Sequence, residues 1–113
     1  MIEIIILNHL KTKLSVPVRL EKPEPLPEDG KYVLFEKTGS NSLNKTGGST
    51  FAFQSYAKSM YDAAALNEEV KQAVDSLIEL DGIASVKLNT DYNFTDTTTK
   101  KYRYQAVYDI KHY

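Results

Sequence analysis

The feature that most constrains this fold is a long alternation of side chains near the end of the printed sequence. Within residues 84–94 every second residue belongs to a largely apolar or aromatic set: Ala84, Val86, Leu88, Thr90, Tyr92 and Phe94. Residues 101–112 repeat the pattern with Tyr102, Tyr104, Ala106, Tyr108 and Ile110. A period of two predicts two strands, each with one largely apolar and one largely polar face. The polar segment 95–100 has no glycine, which predicts a wide hairpin turn.

The tyrosines of the second stretch have two interpretations. Tyr102, Tyr104 and Tyr108 share one face of the predicted last strand. We favour a position in the core beneath the helices, because the large ring contributes apolar area on burial. The alternative is a docking surface, since tyrosine is enriched at protein interfaces.

A helical pattern precedes these strands. Ser59 with Asp62 three residues later predicts an N-cap and its partner, and the helix should extend over residues 59–80. Gly82 stands where a helix often ends. An apolar stripe predicts packing on a sheet: Ala63, Leu66, Val70, Ala73, Leu77 and Leu80, widened by Val74 and Ile78. The outer face is mostly charged: Glu68, Glu69, Lys71, Gln72, Asp75 and Glu79.

The first twenty residues predict a helix followed by an edge strand. Residues 2–14 carry apolar side chains at helical spacing: Ile6, Leu7, Leu10 and Leu14. Residues 16–20 then favour a short strand. Pro17 has no N–H group to donate to a ladder, so this strand should lie at a sheet edge.

The middle of the chain predicts a hairpin after a connector. Three prolines in residues 21–29 favour an extended connector rather than a helix. Residues 31–37 and 50–57 have strand patterns. The Gly-, Ser- and Asn-rich segment 38–49 predicts a long loop between them, of the kind that is usually functional or disordered.

The resulting order is helix, three strands, helix and two strands, or α-β-β-β-α-β-β. Helices separated from hairpin-joined strands predict an α+β fold. We expect a mostly antiparallel sheet of about four to five strands with two helices packed on one face. The length of 113 residues predicts a single domain over residues 1–113.

Composition and motifs argue against catalysis. The chain has 14 basic and 15 acidic residues, which does not favour a protein whose main task is to bind nucleic acid. It has no cysteine, and His9 and His112 form no metal-binding motif. We therefore expect no enzyme activity, no cofactor and no metal site. No stretch approaches the about 20 apolar residues of a membrane span, so we expect a soluble protein without a membrane partner.

Three segments resemble proteins of the head–tail gene cluster in tailed phages and prophages of Gram-positive bacteria. They are AFQSYAKSMYDAAALN at residues 52–67, SVKLNTDYNFTD at residues 85–96 and YRYQAVYDI at residues 102–110. The chain is similar to the tail terminator, or tail-completion, family, which includes the minor tail protein U of lambda as a distant relative. The resemblance extends over essentially the whole chain, and the family's phrases are not catalytic signatures.

The resemblance implies a structural protein with a sheet and two helices. Such proteins form rings, usually hexamers, that cap the tail tube, stop its polymerisation and offer a surface to the head connector. DNA would only pass through the lumen, without sequence-specific contacts. The protein would assemble in the cytoplasm of the bacterial host and end at the tail–head junction of the virion. The loop 38–49 would face the lumen or a neighbouring ring.

A closed ring requires contacts between different faces of neighbouring subunits. Residues 37–61 contain three lysines and no acid, whereas residues 62–81 contain six acids and one lysine. We hypothesise a contact between Lys45 and Lys58 of one subunit and an acidic face of the next. That face consists of Glu68, Glu69, Asp75 and Glu79. The alternative is an ordinary solvated surface.

Two competing functions remain. One is a hydrolase that uses a carboxylate, which requires a cleft with two close, buried carboxylates. The other is a small ligand-binding or regulatory module. It requires a well-formed apolar pocket with convergent polar groups.

Overall fold

The computed structural model describes the backbone of residues 1–41 and 48–113. The elements follow in the order α1 (Ile2–Lys13), β1 (Val18–Arg19), β2 (Tyr32–Asn41), β3 (Gly48–Ala57), α2 (Met60–Asp75), a 3-10 helix (Ser76–Glu79), β4 (Ile83–Asn93) and β5 (Tyr102–His112). The predicted α+β class, with two helices and a mostly antiparallel sheet, is confirmed. The 3-10 helix is an addition to the predicted order.

The sheet has five strands in the order β1-β2-β3-β5-β4. The last strand in sequence therefore lies inside the sheet, between β3 and β4, and pairs antiparallel with both. β1 pairs parallel with β2 at the edge, where the Pro17 carbonyl accepts a hydrogen bond from the Val33 N–H at 2.9 Å. The predicted edge strand is confirmed, although it is only two residues long.

One face of the sheet forms the core together with both helices. Its centre is an aromatic cluster in which Phe53 meets Tyr108 edge-on, with ring centroids 5.9 Å apart. Phe35 and Phe51 complete the cluster, and all four side chains are fully buried. Ile2, Ile6 and Leu10 of α1, together with the buried side chains of α2, belong to the same core. The core interpretation of the tyrosines is right for Tyr108, whereas Tyr102 and Tyr104 are only half-buried.

Helix α2 begins as predicted and ends earlier. The Ser59 hydroxyl accepts a hydrogen bond from the Asp62 N–H at 3.1 Å, as expected of an N-cap. The α-helix stops at Asp75 and tightens into the 3-10 helix. Because a 3-10 helix has about three residues per turn, its side chains leave the α-helical stripe. Ile78, predicted to widen that stripe, is instead 52% exposed.

The end of this helical region also differs from the prediction. Leu80, in an extended conformation, caps the 3-10 helix, so Gly82 does not act as the predicted helix terminator.

A β-bulge in β4 divides its predicted apolar face. Leu88 pairs with Tyr108, but Thr90 pairs with the next residue, Val107, and Asn89 is the extra residue. Beyond the bulge the alternation is reversed, so Asp91 lies on the helix side and Tyr92 on the opposite side. The expectation of one continuous apolar face from residue 84 to 94 was therefore wrong.

The β2–β3 hairpin is longer than predicted. β2 continues to Asn41 and β3 starts at Gly48, so the predicted loop 38–49 was too long at both ends. Residues 42–47, including Lys45 of the hypothesised subunit contact, lie outside the described residues.

We expect Ser59→Ala to lower the free energy of unfolding by about 1 kcal/mol, because it leaves an N–H group at the start of α2 without its acceptor. Urea unfolding followed by circular dichroism measures the change. Ser59→Asp is the matched control, since a carboxylate also caps a helix N-terminus and should keep nearly all of the stability. Equal stability of the alanine and aspartate variants would contradict the assignment.

Candidate functional site

A basic cleft of about 360 Å³ lies at the end of the sheet where β3 ends and β5 begins. Its charged wall consists of Lys22, Lys58, Lys100 and Lys101, and among the described residues that line it Glu28 is the one acid. Its apolar and aromatic wall consists of Leu26, Pro27, Tyr32, Tyr56, Ala57 and Tyr102. We call this set the basic cleft. Ammonium groups around an apolar wall can hold carboxylate or phosphate groups that are attached to an apolar body.

Three separate segments build the basic cleft. The proline-rich connector supplies Lys22 and Leu26, the junction between β3 and α2 supplies Lys58, and the β4–β5 turn supplies Lys100 and Lys101. Ala57 pairs with Tyr102 across β3 and β5, and this pairing brings the junction and the turn together.

Lys58 is held in place by the connector. Its Nζ donates a hydrogen bond to the Glu28 carbonyl oxygen at 2.6 Å. Its aliphatic stem lies against Gly30, where a Cβ atom would be only 2.6 Å from the Lys58 Cγ. Gly30 also has a φ of 69°, which favours glycine, and a side chain at this position would displace the stem of Lys58. Lys100 has a φ of 56°, an uncommon conformation for a lysine, at its place in the β4–β5 turn.

Next to the basic cleft begins the open face of the sheet, the face opposite the helices. Tyr32 and Tyr56 stack there with ring centroids 4.6 Å apart. The Tyr56 hydroxyl donates to Gln54 Oε1 at 3.1 Å, and Gln54 donates to Gln105 at 2.8 Å. Gln105 in turn donates to the Tyr92 hydroxyl at 2.6 Å. This chain of contacts crosses four strands and gives the open face a fixed polar and aromatic surface.

The acids of the hypothesised subunit contact do not share one environment. Glu68 pairs with Lys71 at 3.0 Å within the same chain. Asp75 accepts a hydrogen bond from the Tyr108 hydroxyl at 3.0 Å. Glu69 lines a groove between α1 and α2. Glu79 lies on the 3-10 helix, near His9.

Sequence reasoning selected Lys58 but missed three other lysines of the basic cleft: Lys22, Lys100 and Lys101. The Lys100–Lys101 doublet in the β4–β5 turn was the available signal. The doublet becomes part of a cleft only because the connector folds over the same end of the sheet. No local sequence pattern specifies that placement.

A polar cluster joins α2 to β4. Asp91 accepts hydrogen bonds from Lys71 at 2.9 Å and from Asn67 at 3.1 Å. The hydrogen bond from Lys71 holds the pKa of Asp91 below its usual value, and the bonds to Asp91 and Glu68 raise the pKa of Lys71. Nearby, burial and the hydrogen bond to Asp75 raise the pKa of Tyr108. The hydrogen bonds between α2 and β4 are thus the main cause of the pKa shifts of Asp91 and Lys71.

His9 has a structural contact rather than a catalytic one. Its Nε2 lies 2.7 Å from the Ser76 hydroxyl, which itself donates to the Ala73 carbonyl oxygen. The histidine therefore acts as the donor, and the bond ties α1 to the 3-10 helix. Burial, with the nearby charge of Lys13, lowers the pKa of His9.

Within residues 1–41 and 48–113, no group of three or more histidines, cysteines and acids is arranged to hold a metal ion. In the same described part of the chain, no helix has the length and apolar character needed to cross a membrane.

No protein-family model matches the chain, and no curated protein matches it significantly.

We expect the Lys71–Asp91 contact to make stability depend on pH in the acidic range. The folded protein holds the pKa of Asp91 below its unfolded value of about 3.9, so the contribution is present above that value and lost as the pH falls through the folded pKa. Asp91→Asn should lower the free energy of unfolding by about 1–2 kcal/mol at pH 7.

Urea unfolding between pH 7 and pH 3 measures this contribution. The wild type should lose more stability over this range than Asp91→Asn does. Glu36→Gln, at an exposed position, is the control and should keep the wild-type pH dependence. Parallel pH profiles of the wild type and Asp91→Asn would refute a role of the contact in stability.

Proposed function

We propose that this chain is a structural protein of tailed-phage or prophage assembly, a tail terminator. It would act as a ring-forming oligomer, most simply a hexamer. The ring caps the tail tube and joins it to the head connector, while DNA passes through its lumen without sequence-specific contact. Assembly would take place in the host cytoplasm, and the mature location would be the tail–head junction of the virion.

The observation that carries this proposal is the agreement between the implied and the observed fold. The resemblance implies a sheet with two helices, and the chain has a five-stranded sheet and two helices. The resembling segments also cover connected parts of this architecture. Residues 52–67 run from β3 into α2, residues 85–96 run along β4, and residues 102–110 lie in β5.

The surfaces of the chain suit repeated docking. A ring requires that two different faces of one subunit meet in its neighbours. The basic cleft provides a positive surface with an apolar wall, and exposed acids provide negative surface elsewhere. Such complementarity sets the partner and the register of a contact more than its affinity.

The second candidate, a small ligand-binding or regulatory module, is favoured by one observation. The basic cleft has about 360 Å³ and converging lysines, which is within the size range of small-molecule sites. A thermal-shift screen with phosphate and carboxylate compounds distinguishes this candidate, because a resident ligand should raise the melting temperature at concentrations near its dissociation constant.

We expect the purified protein to form closed rings, either alone or on the ends of tail tubes made from the tube protein of the same gene cluster. Multi-angle light scattering should give about six times the subunit mass of 12.8 kDa, and electron microscopy should show caps at tube ends. Added protein should shorten growing tubes. A monomer that neither caps tubes nor changes their length would refute the proposal.

A further inference from the structure

A short exposed segment carries the features complementary to the basic cleft. Residues 78–81 read Ile-Glu-Leu-Asp and comprise the end of the 3-10 helix and the first two residues after it, before β4. Glu79 and Asp81 are exposed, and between them Leu80 packs against the core. Ile78 is 52% exposed, although it is a large apolar residue. We call residues 78–81 the acidic end.

The acidic end and the basic cleft lie at opposite ends of the sheet. Ile83, directly after the acidic end, pairs with His112 at the end of β5. The basic cleft lies at the start of β5, where Tyr102 pairs with Ala57. A strand of 11 residues spans about 35 Å, and the longest dimension of the protein is 41 Å. One chain cannot satisfy both surfaces, whereas two copies can.

We propose that the acidic end of one copy docks into the basic cleft of a second copy. The Ile78 side chain would cover the apolar wall formed by Leu26 and the cleft tyrosines. The carboxylates of Glu79 and Asp81 would pair with the cleft lysines. In a pair of copies, one basic cleft and one acidic end remain free, so further copies can add by the same head-to-tail contact. The assembly closes into a ring when the rotation between neighbouring copies permits. This inference rests on the proposed function, because the ring is the assembly that the contact builds.

A second copy fits the basic cleft better than nucleic acid does. A phosphate backbone would match the lysines but would leave the apolar wall uncovered, and the chain has a net charge of −1. The acidic end supplies both the carboxylates and an exposed apolar side chain on the chain itself.

The proposed docking contact uses only part of the charge pairing between subunits that the sequence suggested. Lys58 and Glu79 remain as contact residues, since Lys58 lines the basic cleft and Glu79 belongs to the acidic end. Glu68 and Asp75 lie outside the acidic end, and their contacts are to Lys71 and to the Tyr108 hydroxyl of the same chain.

A charge-swap experiment on the full chain tests the contact. One variant reverses the acidic end (Glu79→Lys with Asp81→Lys), and another reverses the basic cleft (Lys100→Glu with Lys101→Glu). Circular dichroism establishes that both are folded. Sedimentation velocity at low salt, with and without tail tubes, measures association. Each variant alone should associate at least about tenfold more weakly than the wild type, because like charges then face one another.

An equimolar mixture of the two variants should recover association. Every contact in the mixture joins a positive surface of one variant to a negative surface of the other, so the copies alternate around a ring of even number. Raising the ionic strength from about 0.05 M to 0.5 M should weaken wild-type association, since salt screens the charges. Ile78→Ala should also weaken it without loss of folding.

Matched reversals at other exposed sites are the controls. Lys11→Glu with Lys87→Glu, and Glu21→Lys with Glu36→Lys, change the net charge equally and should leave association within about twofold of the wild type.

The outcomes separate this inference from the proposed function. Rings that form equally well from both reversed variants would overturn the docking contact and leave the ring function intact. Head-to-tail association that follows the charge swap but caps no tubes would support the contact and overturn the tail function. DNA binding that is lost on reversing the basic cleft, with no self-association of the wild type, would overturn the contact in favour of a nucleic-acid partner.

Discussion

The burial of a cluster of aromatic rings between one sheet face and two helices is the interaction on which the rest of the structure depends. Phe35, Phe51, Phe53 and Tyr108 are fully buried there, and each contributes about 1.5–3 kcal/mol before conformational entropy is subtracted. Because both helices pack on this cluster at one face of the sheet, neither helix covers the opposite face. That face and the two ends of the sheet are therefore available for contacts with partners. The Tyr108 hydroxyl, bonded to Asp75, fixes α2 over the cluster.

The surfaces left by this packing are held by specific contacts rather than by loose chain. Lys58 is fixed by the Glu28 carbonyl oxygen and by its packing on Gly30, so a charged residue of the basic cleft has a defined position before any partner arrives. Prior positioning of this kind reduces the entropy lost on binding. At the opposite end, the 3-10 helix turns Ile78 outward between exposed acids. The change from α-helix to 3-10 helix that ends α2 therefore also exposes a large apolar side chain.

The proposed head-to-tail docking would give these two surfaces a common role. The basic cleft and the acidic end are separated by the length of β5, so neither can satisfy the other within one chain. A protein with complementary ends on a rigid sheet forms chains or rings, and ring closure limits the number of copies. A terminator of tube growth requires such a closed assembly. Under the proposed function, complementary surfaces on neighbouring copies would be sufficient for that task.

Local patterns in the sequence determined most of the elements. Alternation specified that β4 and β5 are strands, the Ser59 cap specified the start of α2, and apolar spacing specified α1, because side-chain periodicity reports the type of each element. Only the tertiary structure decided three further features. The bulge at Asn89 moved Tyr92 to the open face, because strand register depends on the partner strand. The 3-10 turn exposed Ile78, and sheet order brought the connector, Lys58 and the Lys100–Lys101 doublet into one cleft. A cleft built from three distant segments follows from long-range pairing, and no local pattern encodes that pairing.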